Sequence, residues 1–287
     1  MNRVKWLLEN DVFDEDLQPL IDEIQRQGME VKVQRHRPFD TEREDISTWY
    51  PPDACVVFYG SIEFARQIQR RAPWVPGVYC TWDNYRCTHY YPAFGESLLN
   101  KDYVMLPLGE LERRGDFLYD TIGRDDCIFV RPDRADKIFT GKVVHRPDLH
   151  QDVELFKFYD VQPHELCVVS SPKNIIGEWR FVIVDDRIVA WSEYKPKHNR
   201  GVEETVVLAA CEFLGDKFLG DKYTLPSVAY RPGRAWVMDV CQTSDFNIHV
   251  LEVGAWSVAG LYDCDPEPIV RAVSEAALDE WKEINEP

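Results

Sequence analysis

Two short apolar runs in the last quarter of the chain each carry a single acid, and that combination constrains the fold more than any other stretch. The runs are Ala-Trp-Val-Met-Asp-Val-Cys from Ala235 and Ile-His-Val-Leu-Glu-Val-Gly-Ala-Trp from Ile248, separated by the polar segment Gln242 to Asn247. Val, Ile and aromatic residues on either side of a polar turn predict a β-hairpin. Strand side chains alternate between faces, so Asp239 and Glu252 share a face if they pair directly or if Asp239 lies opposite Val250. Two carboxylates held close in apolar surroundings repel each other and lose hydration, so such a pair calls for a cation between the groups or a shared proton. A divalent metal is the simplest such cation. The competing reading is a solvated strand edge. A facing pair predicts that neutralising either acid leaves the metal-free protein as stable as before, or slightly more so.

The chain is long enough to bury a core around this hairpin. Its 287 residues, 45% of them hydrophobic, suit two domains or one elaborated α/β unit. A balance of 33 basic against 50 acidic residues gives −17, which argues against a generic nucleic-acid or anionic-membrane surface while leaving room for local basic clefts. The eight cysteines are scattered, with no Cys-x-x-Cys, and read as reduced, buried thiols of a cytoplasmic protein. No apolar run approaches the roughly 18 residues of a membrane span, and the first residues do not form the apolar core of a signal peptide.

Taken in order, Val4 to Leu8 is a predicted strand, followed by an amphipathic helix led by Asp14-Glu15-Asp16. Leu17, Leu20, Ile21 and Ile24 form its stripe, with Pro19 in the first turn and Gly28 at the end. Glu30 to Gln34 alternates as a second strand, Ala54 to Tyr59 suits a parallel sheet, and Gly60-Ser61 opens a helix through Arg71. This predicts a small open α/β domain over residues 1–110. Gly60 lacks the companion glycines of a dinucleotide fingerprint. Trp74, Trp82, Tyr85, Tyr90, Tyr91 and Phe94 read as packing, with a substrate pocket the alternative. Further strands are expected at Asp126 to Arg131, Leu166 to Ser170, Trp179 to Val184 and Ile188 to Ser192, the last two around a tight turn at Asp185-Asp186-Arg187. Arg134 to Thr140 is a basic loop or short strand, and Glu203 to Leu214 is a helix. A final helix begins at Asp265-Pro266 with Val270, Val273, Ala277, Trp281 and Ile284 on one stripe.

Three cations could meet the paired acids. Arg131 ends an apolar strand before Pro132, Lys137 sits beside a glycine-containing loop, and Arg180 lies between Trp179 and Phe181. An Arg among aromatics is costly to bury without an anion, and its planar fork suits phosphate or carboxylate oxygens. Singly, each is better explained by an ion pair with a local acid such as Glu178 or Asp133. Their order is more informative. Phe-Val-Arg131-Pro, then Lys137 and Gly141, then Cys-Val-Val-Ser-Ser-Pro from Cys167, then Glu178-Trp-Arg180, then Asp239 and Glu252, resembles the nucleotide-binding half of an ATP-grasp enzyme. More narrowly it is similar to the ATP-grasp clade named for two arginines and one lysine, over about Asp116 to Tyr262.

The resemblance implies an α/β (α+β) protein with a pre-ATP-grasp domain over residues 1–110. An ATP-grasp region follows over 111–287, holding nucleotide between sheet-containing subdomains of about 111–172 and 173–287. It places Arg131 and Lys137 over the ATP phosphates, the hinge at Val168, Val169, Ser170 and Ser171 along the adenine edge, and Glu178 among the nucleotide-binding residues. Arg180 would reach the γ-phosphate or an acyl phosphate. Asp239 and Glu252 would hold Mg²⁺ between phosphate oxygens, as hard oxygen ligands do. The implied reaction is carboxylate–amine ligation through an acyl phosphate, on a small-molecule or peptide substrate. Trp82, Asp83, Asn84, Tyr85, Trp256 and Ser257 are the expected places for substrate contacts. One position departs from the pattern. Two residues after the Glu the superfamily often has a metal-binding Asn, and here Gly254 stands there, so a second metal requires water or Ser257 instead. That departure keeps open a non-catalytic or regulatory ATP-binding protein on the same scaffold.

Other chemistries find less support. Gly141-Lys142 lacks the remaining residues of a Walker loop, and the seven dispersed histidines offer no His-Glu-x-x-His, with His145 and His150 reading as surface residues. A nuclease would want a Lys soon after Glu252, where Val253-Gly254 stand. A glycosidase using the two acids leaves Arg131, Lys137 and Arg180 without a role.

Overall fold

The computed structural model describes residues 3–35, 45–136, 138–158, 161–195, 203–213 and 230–286. The chain divides into two compact units, Met1–Thr81 with Gly177–Val240 and Glu252–Pro287, and Trp82–Ile176 with Cys241–Leu251.

The first unit opens with β1 (Val4–Glu9), α1 (Asp14–Arg26), β2 (Glu30–Gln34), β3 (Cys55–Tyr59), α2 (Ile62–Arg71) and β4 (Val75–Gly77). The four strands form a parallel sheet in the order β2-β1-β3-β4. The apolar run of β3 is buried at every position, as a parallel strand covered on both faces requires. Three acids in the first turn of α1 complement the helix dipole, and the Ser61 hydroxyl caps α2 by accepting from the Phe64 N–H at 3.2 Å. Gly60 is needed for close approach: a Cβ there would lie 2.5 Å from Glu9 Cβ. Glu9 Oε2 in turn accepts from the Ser61 N–H at 2.6 Å.

The second unit contains α3 (Cys87–Phe94), β5 (Tyr103–Pro107), α4 (Leu108–Leu111), α5 (Gly115–Thr121), β6 (Cys127–Pro132), β7 (Lys142–His145), α6 (Leu149–Phe158) and β8 (Leu166–Ser170). Its sheet is antiparallel, in the order β5-β8-β6-β7. Alternate residues Leu106, Ile128, Val130, Val144, Cys167 and Val169 enter a core with Leu118, Val153 and Phe156. Period two therefore puts Met105, Arg131 and Val168, which share one row of the register, on the opposite face. The aromatics Tyr85, Tyr90, Tyr91 and Phe94 are buried, as packing residues should be.

A third sheet is built from β9 (Ile175–Val184), β10 (Arg187–Lys195), β11 (Ala235–Thr243) and β12 (Ile248–Ala255), in the order β10-β9-β11-β12, with α7 (Glu203–Phe213) between β10 and β11 in sequence. Asp185 and Asp186 both have positive φ, 43° and 63°, which makes the β9–β10 connection a two-residue turn of the type that matches strand twist. Val182, Val184, Ala190, Ala235 and Val237 share one core with β1, β3 and the last helix, α8 (Pro266–Asn285). The Asp265 carboxylate caps α8 by accepting from the Glu267 N–H at 3.0 Å. Val270, Val273, Ala277 and Trp281 are buried as their spacing predicts, but Ile284 is 59% exposed, one turn past the end of the packed stripe. All eight cysteines are buried. Among the described residues no helix is long and apolar enough to cross a membrane.

Candidate functional site

The acid of β11 and the arginine of β9 meet. Arg180 Nε donates to Asp239 Oδ1 at 2.8 Å and Nη2 donates to Oδ2 at 2.7 Å, a two-pronged fit of guanidinium to carboxylate. Nη1 donates to the Gly260 carbonyl at 2.6 Å, and the Tyr194 hydroxyl donates to Asp239 Oδ2 at 3.3 Å. The rings of Tyr194 and Tyr262 stack with centroids 4.5 Å apart, and the guanidinium lies 4.8 Å from the Tyr262 centroid. Strand alternation explains the assembly. Arg180 precedes Val182 and Val184 on its face of β9, and Asp239 follows Ala235 and Val237 on its face of β11, so one face of the sheet is apolar at one end and charged at the other.

Both charges are deeply buried, Asp239 at 2% and Arg180 at 7% exposure. Burial pushes the Asp239 carboxyl above its ordinary value, Arg180 pulls it back, and the negative charge of Glu252 on neighbouring β12 adds to the rise. Burial also works against the charge on Arg180, but the field and hydrogen bonds of Asp239 hold the guanidinium above its usual value. The expectation of two acids in unrelieved repulsion is thereby corrected. Asp239 is answered by a guanidinium in the protein alone, so its neutralisation strands a buried cation instead of relieving a cost. Glu178, one of the two local acids offered as ion-pair partners for the three cations, faces the exposed Lys195 at 3.7 Å.

Asp239, Glu178 and Glu252 carry more negative charge than Arg180 and the exposed Lys195 balance, and every donor among them is a carboxylate oxygen, which suits a hard divalent cation. Among the described residues no group of three or more His, Cys, Asp or Glu is arranged to hold a metal, so further ligands would be substrate oxygens and water. Gly254 contributes none, and a Cβ there would come within 3.2 Å of Val237 Cγ2. Ser257 does not substitute. It is fully buried, its hydroxyl accepts from the Tyr79 N–H at 2.9 Å, and its carbonyl accepts from the Gly60 N–H at 2.9 Å. Trp256 is likewise core, 5.8 Å edge-on from Trp6, so the expected substrate contacts at Trp256 and Ser257 are overturned by burial.

Sequence reasoning missed Tyr194, Tyr262 and Asp16. Asp16 Oδ2 accepts from the Tyr59 hydroxyl at 2.6 Å and from the Leu261 N–H at 2.8 Å, which ties α1 to the connection that carries Gly260 and Tyr262. Tyr262 itself has φ of 56°, an unusual conformation for a bulky residue. Continuing the alternation of β10 past Ala190 and Ser192 would have pointed to Tyr194. Asp16 read only as a helix-start acid.

The other predicted residues belong to the second unit. Arg131 sits on β6 across from Val168 on β8, and its charge is felt by the buried Tyr91. Asp133, the other local acid offered as an ion-pair partner for the three cations, is bound by Arg86 at 3.1 Å and by the Thr88 N–H at 2.7 Å. Val168, Val169 and Ser170 are fully buried in β8, with β5 on one side and β6 on the other, so their peptide groups belong to the sheet ladder. Ser170 Oγ donates to Asn100 Oδ1 at 3.0 Å. Ser171 is the first residue of the expected hinge beyond that ladder. Lys137 lies outside the described residues.

A family model for the ATP-grasp domain, family 3 of the clade named for two arginines and one lysine, matches residues 74–273. The chain belongs to this ATP-grasp family. Solved ATP-grasp structures share its fold along almost the whole length. A D-cycloserine synthetase aligns at 11% identity over 96% of this chain and 99% of its own, with a TM-score of 0.58. A RimK-domain ATP-grasp protein from Sphaerobacter thermophilus aligns at 13% identity over 96% and 99%, also at 0.58. The N5-carboxyaminoimidazole synthetase of Staphylococcus aureus aligns at 9% identity over 96% of this chain and 77% of its own, at 0.55. At such identities the likeness establishes the ATP-grasp fold. No curated protein matches the chain in sequence.

Proposed function

We propose that this ATP-grasp protein is an ATP-dependent carboxylate–amine ligase. The observation that carries the reading is the Arg180–Asp239 fork on neighbouring β9 and β11, with Glu252 on the next strand, in a member of the clade. A substrate carboxylate oxygen attacks the γ-phosphorus of ATP, and ADP leaves with the bridging oxygen. The resulting acyl phosphate is attacked at carbon by an amine, phosphate leaves, and an amide remains. Arg131 and Lys137 neutralise the phosphates, Ser171 at the end of the Val168 to Ser171 run meets the adenine edge, and Glu178 lies beside the nucleotide. Asp239 and Glu252 would hold magnesium, which would neutralise the charge that builds up on the phosphates. Arg180 fixes Asp239 in one orientation and presents its remaining N–H groups to the phosphoryl group, while Tyr194 and Tyr262 cover the pair from water. The substrates are a small molecule or peptide bearing the carboxylate, and an amine or other nucleophile. The reaction draws on cytoplasmic ATP.

Gly254 favours a second reading, a regulatory ATP-binding protein without turnover, because it removes one side-chain ligand from the metal strand. Incubation with Mg-ATP and pools of amino acids, polyamines and peptides separates the two. Substrate-dependent ADP release, with a product mass equal to both substrates less one water, supports the ligase. Binding without ADP release supports the regulator. Absence of Mg-ATP binding at millimolar concentration removes both.

A further inference from the structure

The second unit contains a cavity of 420 Å³ where its sheet meets the β11–β12 turn. Lys101 ahead of β5, Arg124 ahead of β6, Lys173 and Asn174 between β8 and β9, and His249 at the start of β12 converge on it. Its positive charge is poorly answered. Lys173 is half-buried, and its ammonium bonds only the Ser171 hydroxyl and the Ser171 carbonyl, the latter at 3.1 Å, with no carboxylate in ion-pair reach among the described residues. Arg124 donates to Asn174 Oδ1 at 3.2 Å and, among the described residues, has only the exposed Asp125 as a counter-charge, at 3.6 Å. Lys101 pairs at 2.6 Å with Glu96, which is out in solvent. The cavity's own acids do not close the balance. Asp245 is spent within the turn, accepting from the Thr243 hydroxyl at 2.5 Å and from Asn247 Nδ2 at 2.7 Å, and Asp102, whose charge acts on Lys101 and Lys173, is exposed and in no ion pair with them. Burial holds the His249 imidazole below its ordinary value, and Lys101 and Lys173 depress it further against the pull of Asp245, as expected where positive potential gathers.

We propose that this cavity is a second ligand site, adjoining the Ser171 end of the proposed nucleotide site, that takes a small molecule through an oxyanion group, carboxylate or phosphate. In a chain of net charge −17, a cavity lined by three cations from three separate connections against two acids is a local reversal of sign. An oxyanion supplies the missing counter-charge: the Arg124 fork matches its paired oxygens, and Lys101 and Lys173 add point charges. The volume lies in the range of about 300–1,000 Å³ typical of small-molecule pockets, so the ligand is larger than the oxyanion alone. The site stands independently of the proposed ligase activity.

Calorimetric titration of the full chain with inorganic phosphate and with acetate, each at ionic strength matched by sodium chloride, tests the assignment and separates the two sources of oxyanion. Saturable binding of at least one, weakened tenfold or more in both Arg124→Gln and Lys101→Gln and retained at saturating Mg-ATP, is expected. The two side chains are exposed, so both variants should fold, and a far-ultraviolet spectrum and unfolding midpoint equal to those of the wild type check it. No binding beyond the chloride control, wild-type affinity in both variants, or displacement by Mg-ATP overturns the proposal. Anion binding without any Mg-ATP binding would sink the ligase reading and leave this one standing.

Discussion

A carboxylate with almost no access to water adds to a fold only when its charge is met, and Asp239 is met by both prongs of Arg180. Removing one partner leaves the other buried and uncompensated, at a typical cost of ~3 to 5 kcal/mol, whereas replacing both with apolar residues of similar volume is often near neutral. Urea unfolding should therefore show losses of that size for Asp239→Ala and for Arg180→Met, with most of the loss recovered in the double variant Arg180→Met/Asp239→Leu. Additive losses in the double variant would mean that the two residues do not act as a unit. Glu252 is half-buried, and its neutral isostere should behave differently. Glu252→Gln is expected to unfold within about 1 kcal/mol of the wild type while magnesium-dependent ATP affinity falls about tenfold or more, roughly 1.4 kcal/mol. Equal loss of stability and affinity would make Glu252 a structural residue.

Asp16 joins three elements, with its own helix α1, Tyr59 of β3 and the connection after β12 meeting at one carboxylate oxygen. Burial raises its pKa, the bonds from Tyr59 and Leu261 lower it, nearby Glu15 raises it and Arg180 lowers it slightly. The folded state therefore holds a proton more tightly than the unfolded state does. The stability gained from that proton is fully present below the unfolded value near 3.9 and is lost as pH rises through the raised folded value. Asp16→Asn keeps an oxygen where both donors converge and removes the buried charge. Its stability relative to wild type should rise as urea unfolding is repeated from pH 4 to pH 7, and a relative fall over that window would contradict the account. Elements of this kind were legible one at a time. Helix α1, strands β2 and β8, the two-aspartate turn and the cap of α8 follow from residues within a turn or two of each other. The register of distant strands was not legible, because nothing local brings Arg180 to Asp239, 59 positions away, or Asp16 to Leu261. Both contacts depend on side-chain alternation summed across a sheet whose strand order the sequence does not state. The same limit hid the core role of Trp256, since a buried aromatic and a pocket aromatic read alike until their neighbours are known.

For the whole molecule, the most direct consequence of an ATP-grasp assignment is ligand linkage. A ligand that binds only the native state raises unfolding free energy by RT ln(1 + [L]/Kd), about 2.7 kcal/mol at 100 times Kd and then about 1.4 kcal/mol per further decade. Urea unfolding in increasing Mg-ATP should approach that slope for one site, and chelation of the metal should remove most of the gain if Asp239 and Glu252 hold magnesium. The net charge of −17 opposes an anionic nucleotide, while Arg131 and Lys137, in the proposed role, would attract it. Salt decides which dominates. Charges spread over the surface act across many ångströms and are screened by a Debye length of about 10 Å at 0.1 M, so screening them would strengthen binding. Contacts between phosphate and a few neighbouring cations are instead weakened by salt, through competition at short range. The expected result is that Mg-ATP affinity falls as sodium chloride rises from about 0.05 to 0.3 M, and that Arg131→Gln both lowers affinity and flattens this dependence. Affinity that climbs with salt, or a salt dependence unchanged in Arg131→Gln, would show that Arg131 does not meet the phosphates, and the nucleotide would have to be held by other groups of the fold.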